Sequence, residues 1–262
     1  MLFFMNPERE AQARKARAEY NMSHAVPWSE AKKPKGRHDI GIIAETYKIE
    51  NPMDLVFPNA PVIKTGEGED DCLYSDNRTL RYAKKIFPIH NGLPVTDAPD
   101  LWHDHGRAFF TADVTFPVLE QLKGEKWKPW MSLTPAEIWS QNSGIRSATK
   151  NVVIGGLGMG YLLDQVARKK TVTGICVVEK NKELLDWFGL KLCEQLEEKY
   201  DKTVDVICGD IWEEAGELGE DSRFLIDIWE GHGEAQFDRK LEELRADKKF
   251  VWAWGSPRGS RY

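Results

Sequence analysis

At 262 residues with 41% hydrophobic side chains, the chain is long enough to bury one large core or two modest ones, which excludes disorder of the whole molecule. A net charge of −6 excludes a surface that is phosphate-binding throughout, so nucleic acid is left open as a partner but without support. The four cysteines, Cys72, Cys176, Cys193 and Cys208, contain no CxxC pair, and two of them sit in apolar runs; they read as reduced core thiols of a cytoplasmic protein.

The opening MLFFM is too short for a signal-peptide core or a membrane-spanning helix, so no membrane partner is expected. Pro7 to Tyr20 (PEREAQARKARAEY) alternates charges among good helix formers, which predicts a solvated helix. With the Lys/Pro-rich stretch from Lys32 to Arg37 it makes a charged, exposed arm over residues 1–38, whose basic charge Glu8, Glu10 and Glu19 dilute. Short apolar runs such as IGIIAETYKI and APVIKT, cut by Pro and Gly, predict a small strand-rich region over 39–130. Two polar clusters inside it read as turns. Glu67 to Asp71 (EGEDD) lacks the alternating spacing of a calcium loop, and His103-Asp104-His105 lacks further ligands at a metal-site spacing.

Residues 131–262 read as a second domain. Thr134-Pro135-Ala136-Glu137 predicts a helix start, with Thr134 as cap, Pro135 in the first turn and Glu137 reaching back, running to about Asn142. From Asn151 strands and helices alternate, the pattern of a Rossmann-like α/β sheet of mainly parallel strands. The first unit, VVIGGLGMGYLLDQVARK, is a buried strand, a glycine-rich turn and an amphipathic helix. Gly156, Gly158 and Gly160 form GxGxG. A dinucleotide fingerprint begun at Gly156 needs glycine where Tyr161 stands, and no GK[ST] ending follows, so nicotinamide, flavin and nucleoside-triphosphate loops are disfavoured. The second strand, Val172 to Val178, ends at Glu179, nineteen residues beyond Gly160, where a carboxylate can accept both hydroxyls of an adenosine ribose. The third strand, Val204 to Cys208, leads to Asp210. The fourth, Phe224 to Ile226, leads to Asp227, so three acids stand at three strand ends.

These residues resemble the class I S-adenosylmethionine-dependent methyltransferase superfamily, and within it the spermidine-synthase-like branch, over about Trp130 to Trp254. The resemblance implies that Gly156, Gly158 and Gly160 line the methionine portion of S-adenosylmethionine, that Glu179 binds the ribose, and that Asp210 with Ile211 flanks the adenine. Asp227 would face the sulfonium and the incoming substrate. Two departures stand out: the acid that many members carry two residues before the first glycine is Ile154 here, and the chain stops soon after its fifth strand, Phe250 to Trp254, so either the N-terminal region adds strands or the sheet is shortened.

Methyl transfer from a sulfonium is a displacement in which the protein positions two partners and, for an amine or hydroxyl, accepts a proton. Asp227 is the candidate base or substrate-amine anchor, with Glu230 and His232 of DIWEGHGE beside it. DIWE is not the [DNS]PP[YFW] of amino-directed DNA methyltransferases, and no Pro-Cys nucleophile is present. Trp229, Trp252 and Trp254 are expected near the ligand edge of the sheet. The expectation is a methyltransferase acting on a small molecule or protein. Aminopropyl transfer from decarboxylated S-adenosylmethionine, and a silent cofactor-binding scaffold, are the alternatives, and a homodimer is left open.

Overall fold

The computed structural model describes residues 7–35, 38–64, 68–95, 106–219, 221–229, 238–248 and 250–255. MLFFM, Gly36 and Arg37, Glu67, His103-Asp104-His105, Glu230 and His232 lie outside the described residues. No helix among those described is long and apolar enough to cross a membrane.

The N-terminal charge run forms helix α1 (Pro7–Ser23), with Glu8 and Glu10 at its positive dipole end. It is docked rather than a free arm: Ala18 is buried, Arg17 pairs with Asp39, and the Asn21 carbonyl sits where a Cβ on Gly41 would fall. The small side chain of Ala18 lets the helix approach closely, a feature that its charged neighbours mask in the sequence.

The strand-rich region follows in the order β1 (Ile40–Ile42), α2 (Met53–Val56), β2 (Val62–Lys64), β3 (Leu73–Tyr74), β4 (Leu80–Phe87), β5 (Leu93–Pro94), β6 (Arg107–Phe110), β7 (Val114–Lys123) and β8 (Lys126–Ser132). One small sheet runs β1-β6-β5; the other runs β2-β4-β7-β8, with β3 beside β4. In β7, Val114, Phe116 and Val118 recur with the period of two that places one face of a strand on a core. Further along the same face Arg81 and Glu120 form a buried ion pair, 2.6 Å, to which Lys85 adds a second cation, while Leu119 and Tyr82 lie on the other face.

Helix α3 (Pro135–Ser147) leads into the alternating part: β9 (Lys150–Gly155), α4 (Tyr161–Ala167), β10 (Val172–Glu179), α5 (Lys182–Leu184), a π-helical turn (Leu185–Gly189), α6 (Leu190–Tyr200), β11 (Thr203–Cys208), α7 (Ile211–Glu214), β12 (Arg223–Ile226), α8 (Arg239–Asp247) and β13 (Phe250–Ala253). Its five strands are all parallel, in the order β11-β10-β9-β12-β13. Both faces are covered, as parallel strands require: Val152 and Ile154 of β9 join one apolar cluster and Val153 the other. The described N-terminal strands keep to their own two sheets and add none to this one. A single core nevertheless crosses residue 131, because Met53, Leu80, Tyr82 and Leu119 pack with Ile154, Leu163 and Phe188.

Two expectations about α3 are corrected. The Thr134 side chain makes no cap hydrogen bond, and the helix runs on to Ser147. A Cβ on Gly144 would lie 2.7 Å from the Trp252 indole, so this helical glycine serves a packing contact and does not end the helix. Of the cysteines, Cys72 and Cys193 are buried, while Cys208, at the end of β11, is exposed rather than a core thiol.

Candidate functional site

In the parallel sheet the chain leaves the central strand β9 in one direction through β10 to β11 and returns to β9's other side as β12. Such a reversal opens a crevice beyond the carboxyl ends of the strands, where α/β sheets bind ligands. A cavity of about 560 Å³ occupies that crevice. Gly156, Gly158, Glu179, Asp210, Ile211 and Asp227 all line it. Gly160 does not; it has φ 78° and stands at the N-cap of α4.

The three motif glycines are set by the protein's own packing. Gly156 has φ 90°, and a Cβ there would collide with the Asp227 carbonyl oxygen. On Gly158 a Cβ would meet Met131 Sδ at 2.9 Å, and on Gly160 the buried Leu192 at 2.5 Å. The turn therefore draws β12, β8 and α6 together, and two of its glycines still present backbone to the cavity.

Glu179 ends β10 and is 7% exposed. Its Oε2 accepts the Leu157 N–H at 2.8 Å and its Oε1 the Asn181 N–H at 2.7 Å, so the carboxylate ties the glycine turn to the start of the next helix. Each oxygen retains a further acceptor position. Asp210 caps α7 by accepting the Trp212 N–H at 3.0 Å, and accepts Lys180 Nζ at 2.9 Å. Burial alone would raise its carboxyl, but these donors hold it below the usual carboxylate range. Ile211 is buried and offers apolar surface to the same end of the cavity.

At the other end stands Asp227. Its backbone N–H donates to the Gly155 carbonyl at 2.8 Å, which fixes the residue after β12 against the glycine turn. The residue is half-buried and keeps surface on the cavity. Burial, and then the Glu137 carboxylate, push its carboxyl well above the usual range, against the lowering effect of a hydrogen bond from Gln141. Gln141 lies one helical turn beyond Glu137 on α3, and its Nε2 donates to Glu137 Oε1 at 2.7 Å and to Asp227 Oδ2 at 2.9 Å. Both amide hydrogens are thereby used, while among the described residues the buried Gln141 Oε1 has no hydrogen-bond partner. Sequence reasoning gave Glu137 a capping role and missed Gln141. The i, i+4 spacing was visible, but nothing local says that this face of α3 turns to the strand ends.

Tryptophans wall the cavity: Trp130, Trp212, Trp229 and Trp254 line it, with Trp212 and Trp229 in ring contact at 6.3 Å. Trp252 is instead core, its indole N–H donating to Ser143. Tyr161, also on the cavity wall, has its hydroxyl raised to about 12 by burial and the Asp164 carboxylate. Ile154 is fully buried mid-strand, paired across the sheet to Val177 and Leu225, and is not on the cavity. Comparisons with protein-family models, curated proteins and solved structures found no match.

Proposed function

We propose that the cavity binds S-adenosylmethionine and that the chain is an S-adenosylmethionine-dependent transferase, most simply a methyltransferase acting on a small molecule or protein. The observation that carries this is the placement of Glu179: a buried carboxylate at the end of the second strand, bonded to the glycine turn after the first, on the wall of one cavity with Asp210 and Asp227. Counted from β9, the strand order is 3-2-1-4-5, which supports a Rossmann-like reading of the sheet. The volume falls within the range of about 300–1,000 Å³ typical of small-ligand sites.

The residues suit the ligand. Glu179 has acceptor capacity left for two ribose hydroxyls, and Ile211 with Trp212 supplies an apolar face for a flat base. Asp210 is already engaged by Lys180 and Trp212, so it shapes the base-binding end and is not a free acceptor. When bound, the sulfonium supplies a methyl group activated toward displacement. Asp227 holds the substrate at the far end and, once a cation lowers its affinity for its proton, accepts one from the incoming nucleophile.

Calorimetric titration with S-adenosylmethionine, S-adenosylhomocysteine and NADH tests this. Micromolar binding of the adenosyl-sulfur ligands is expected; no binding of either, or tighter binding of NADH, would overturn the reading.

A further inference from the structure

We infer that a second cavity, between α1 and the small β1-β6-β5 sheet, binds a small organic molecule that carries an oxyanion, carboxylate or phosphate, on an apolar body. Strand β6 sets up one wall. Its residues alternate: Ala108 and Phe110 join the apolar core of the small sheet, which turns Arg107 and Phe109 to the opposite face. Helix α1 supplies the facing wall, where Glu10, Ala13, Arg14 and Arg17 recur at three- and four-residue spacing and so share one stripe. Between them lies a cavity of about 700 Å³, closed at one end by Phe87 and by the His90-Asn91-Gly92 turn. It shares no lining residue with the cavity beyond the glycine turn.

On a chain whose net charge is −6, three arginines against one glutamate line this cavity, and a concave site of one sign concentrates its field on an incoming anion. Arg107 is the centre of it. Its Nη1 donates to the Gly92 carbonyl at 2.8 Å, which aims the guanidinium without neutralising it, and among the described residues it forms no ion pair. A Cβ on Gly92 would lie 2.8 Å from the Phe109 ring and 2.9 Å from the Arg107 Cβ, so glycine is what lets that carbonyl close on Arg107. The nearby Asp39 is committed elsewhere: its carboxylate accepts Arg17 Nη2 at 2.7 Å and the Arg107 backbone N–H at 2.9 Å, which locks α1 to β6. Arg14 pairs with Glu10 one turn earlier, but with side chains 77% and 45% exposed that pair is weak, and an anion in the cavity competes for Arg14 at little cost. His90 and Asn91, both exposed, add N–H donors at the rim. A guanidinium presents parallel N–H groups that match two oxygens of a carboxylate or phosphate. A cationic ligand would meet like charges, and a neutral one would leave Arg107 uncompensated. The volume suits an organic molecule rather than a bare ion, and Phe87 and Phe109 offer its body an apolar surface.

Calorimetric titration of the full chain with benzoate, phenyl phosphate, inorganic phosphate and benzylamine tests this, with Arg107→Gln, Arg107→Lys, Arg14→Gln and Lys128→Gln alongside. Lys128 is an exposed cation on β8 away from the cavity, so its variant controls for the loss of one positive charge. Saturable binding of benzoate or phenyl phosphate is expected, weakened at least about tenfold in Arg107→Gln, the worth of a charged hydrogen bond, and unchanged in Lys128→Gln. Arg107→Lys keeps the charge but not the fork and is expected between wild type and Arg107→Gln. The tighter of the two organic anions identifies the oxyanion as carboxylate or phosphate. Arg14 is exposed, so Arg14→Gln stays folded and still reads a loss of about threefold should Arg107→Gln not fold. The site is overturned if neither organic anion binds, if benzylamine binds as tightly, or if Lys128→Gln loses as much as the arginine variants. Inorganic phosphate binding as tightly as phenyl phosphate would reduce the cavity to an ion site and overturn the organic ligand.

Discussion

The bracing that Glu179 gives the glycine turn can be measured apart from the ribose contact proposed for it. In the ligand-free protein it accepts backbone N–H groups from Leu157 and Asn181 at 2.8 and 2.7 Å, and it is only 7% exposed, so solvent competes little. Glu179→Gln keeps the shape but turns one acceptor into a donor that faces a backbone N–H. A hydrogen bond to a charged group contributes about 1.5–3 kcal/mol and a buried donor left unpaired costs about 1–3 kcal/mol, so the net loss comes to roughly 3 kcal/mol. For a chain of this size each kcal/mol moves Tm by about 2–4 °C, which places the variant roughly 10 °C below wild type without any ligand. Urea unfolding followed by tryptophan fluorescence measures it. A loss under about 0.5 kcal/mol would show that the two backbone contacts are not stabilising, and the bracing role of Glu179 would fall. The ligand titration on the same variant then has a clear meaning only if the stability loss is known, because a loosened glycine turn weakens binding as surely as a missing ribose contact.

The remaining predictions are narrower. The folded-state carboxyl of Asp227 is raised, first by burial and then by Glu137, so its contribution to stability is present at pH below the ordinary carboxylate value and is lost as pH climbs toward the raised one. Asp227→Asn should therefore gain on wild type by up to about 1.4 kcal/mol per pH unit across that window, and parallel unfolding curves at stepped pH would refute this. Gly160→Ala forces a side chain into φ 78° and against Leu192 at 2.5 Å; a loss of roughly 3 kcal/mol is expected in chemical unfolding, and a neutral result would mean that the turn relaxes freely. Ile154→Asp introduces an acid two residues before the first glycine but buries it mid-strand between Val177 and Leu225, so no soluble folded protein, or a loss above about 4 kcal/mol, is expected by circular dichroism; improved ligand affinity would contradict the placement of that residue in the core.

The parallel sheet was legible because strands buried on both faces read as continuous apolar runs, and each of VVI, ICVV, VIC, FLI and FVWA ends at a glycine, an acid or a tryptophan. The three acids at strand ends followed from the same runs. The N-terminal sheets were legible only as a class. In β4, Arg81, Lys84 and Lys85 hide a strand whose Arg81 is buried against Glu120 of β7, thirty-nine positions away, and no local pattern announces a charge that is neutralised from that distance. The end of α3 failed for a related reason. The polar stretch after Asn142 reads as a loop until Trp252, more than a hundred positions on, fills the space above Gly144.

The glycine motif shows how far a local signal reaches. As a local pattern GxGxG suggests backbone left bare for a ligand, yet the space beside each glycine is filled by the chain itself: the Asp227 carbonyl, Met131 and Leu192. The same residues would be needed to bring β12 and α6 against β9 whether or not anything binds. What the glycines establish is the crevice, and what argues for a ligand in it is the polar equipment that packing does not require: the spare acceptor positions of Glu179, an acid at Asp227 without an ion-pair partner among the described residues, and the orphaned Oε1 of Gln141. Of these, the last has no signature in the sequence, because an unpaired amide oxygen is a property of how α3 crosses the strand ends and not of the residues around it.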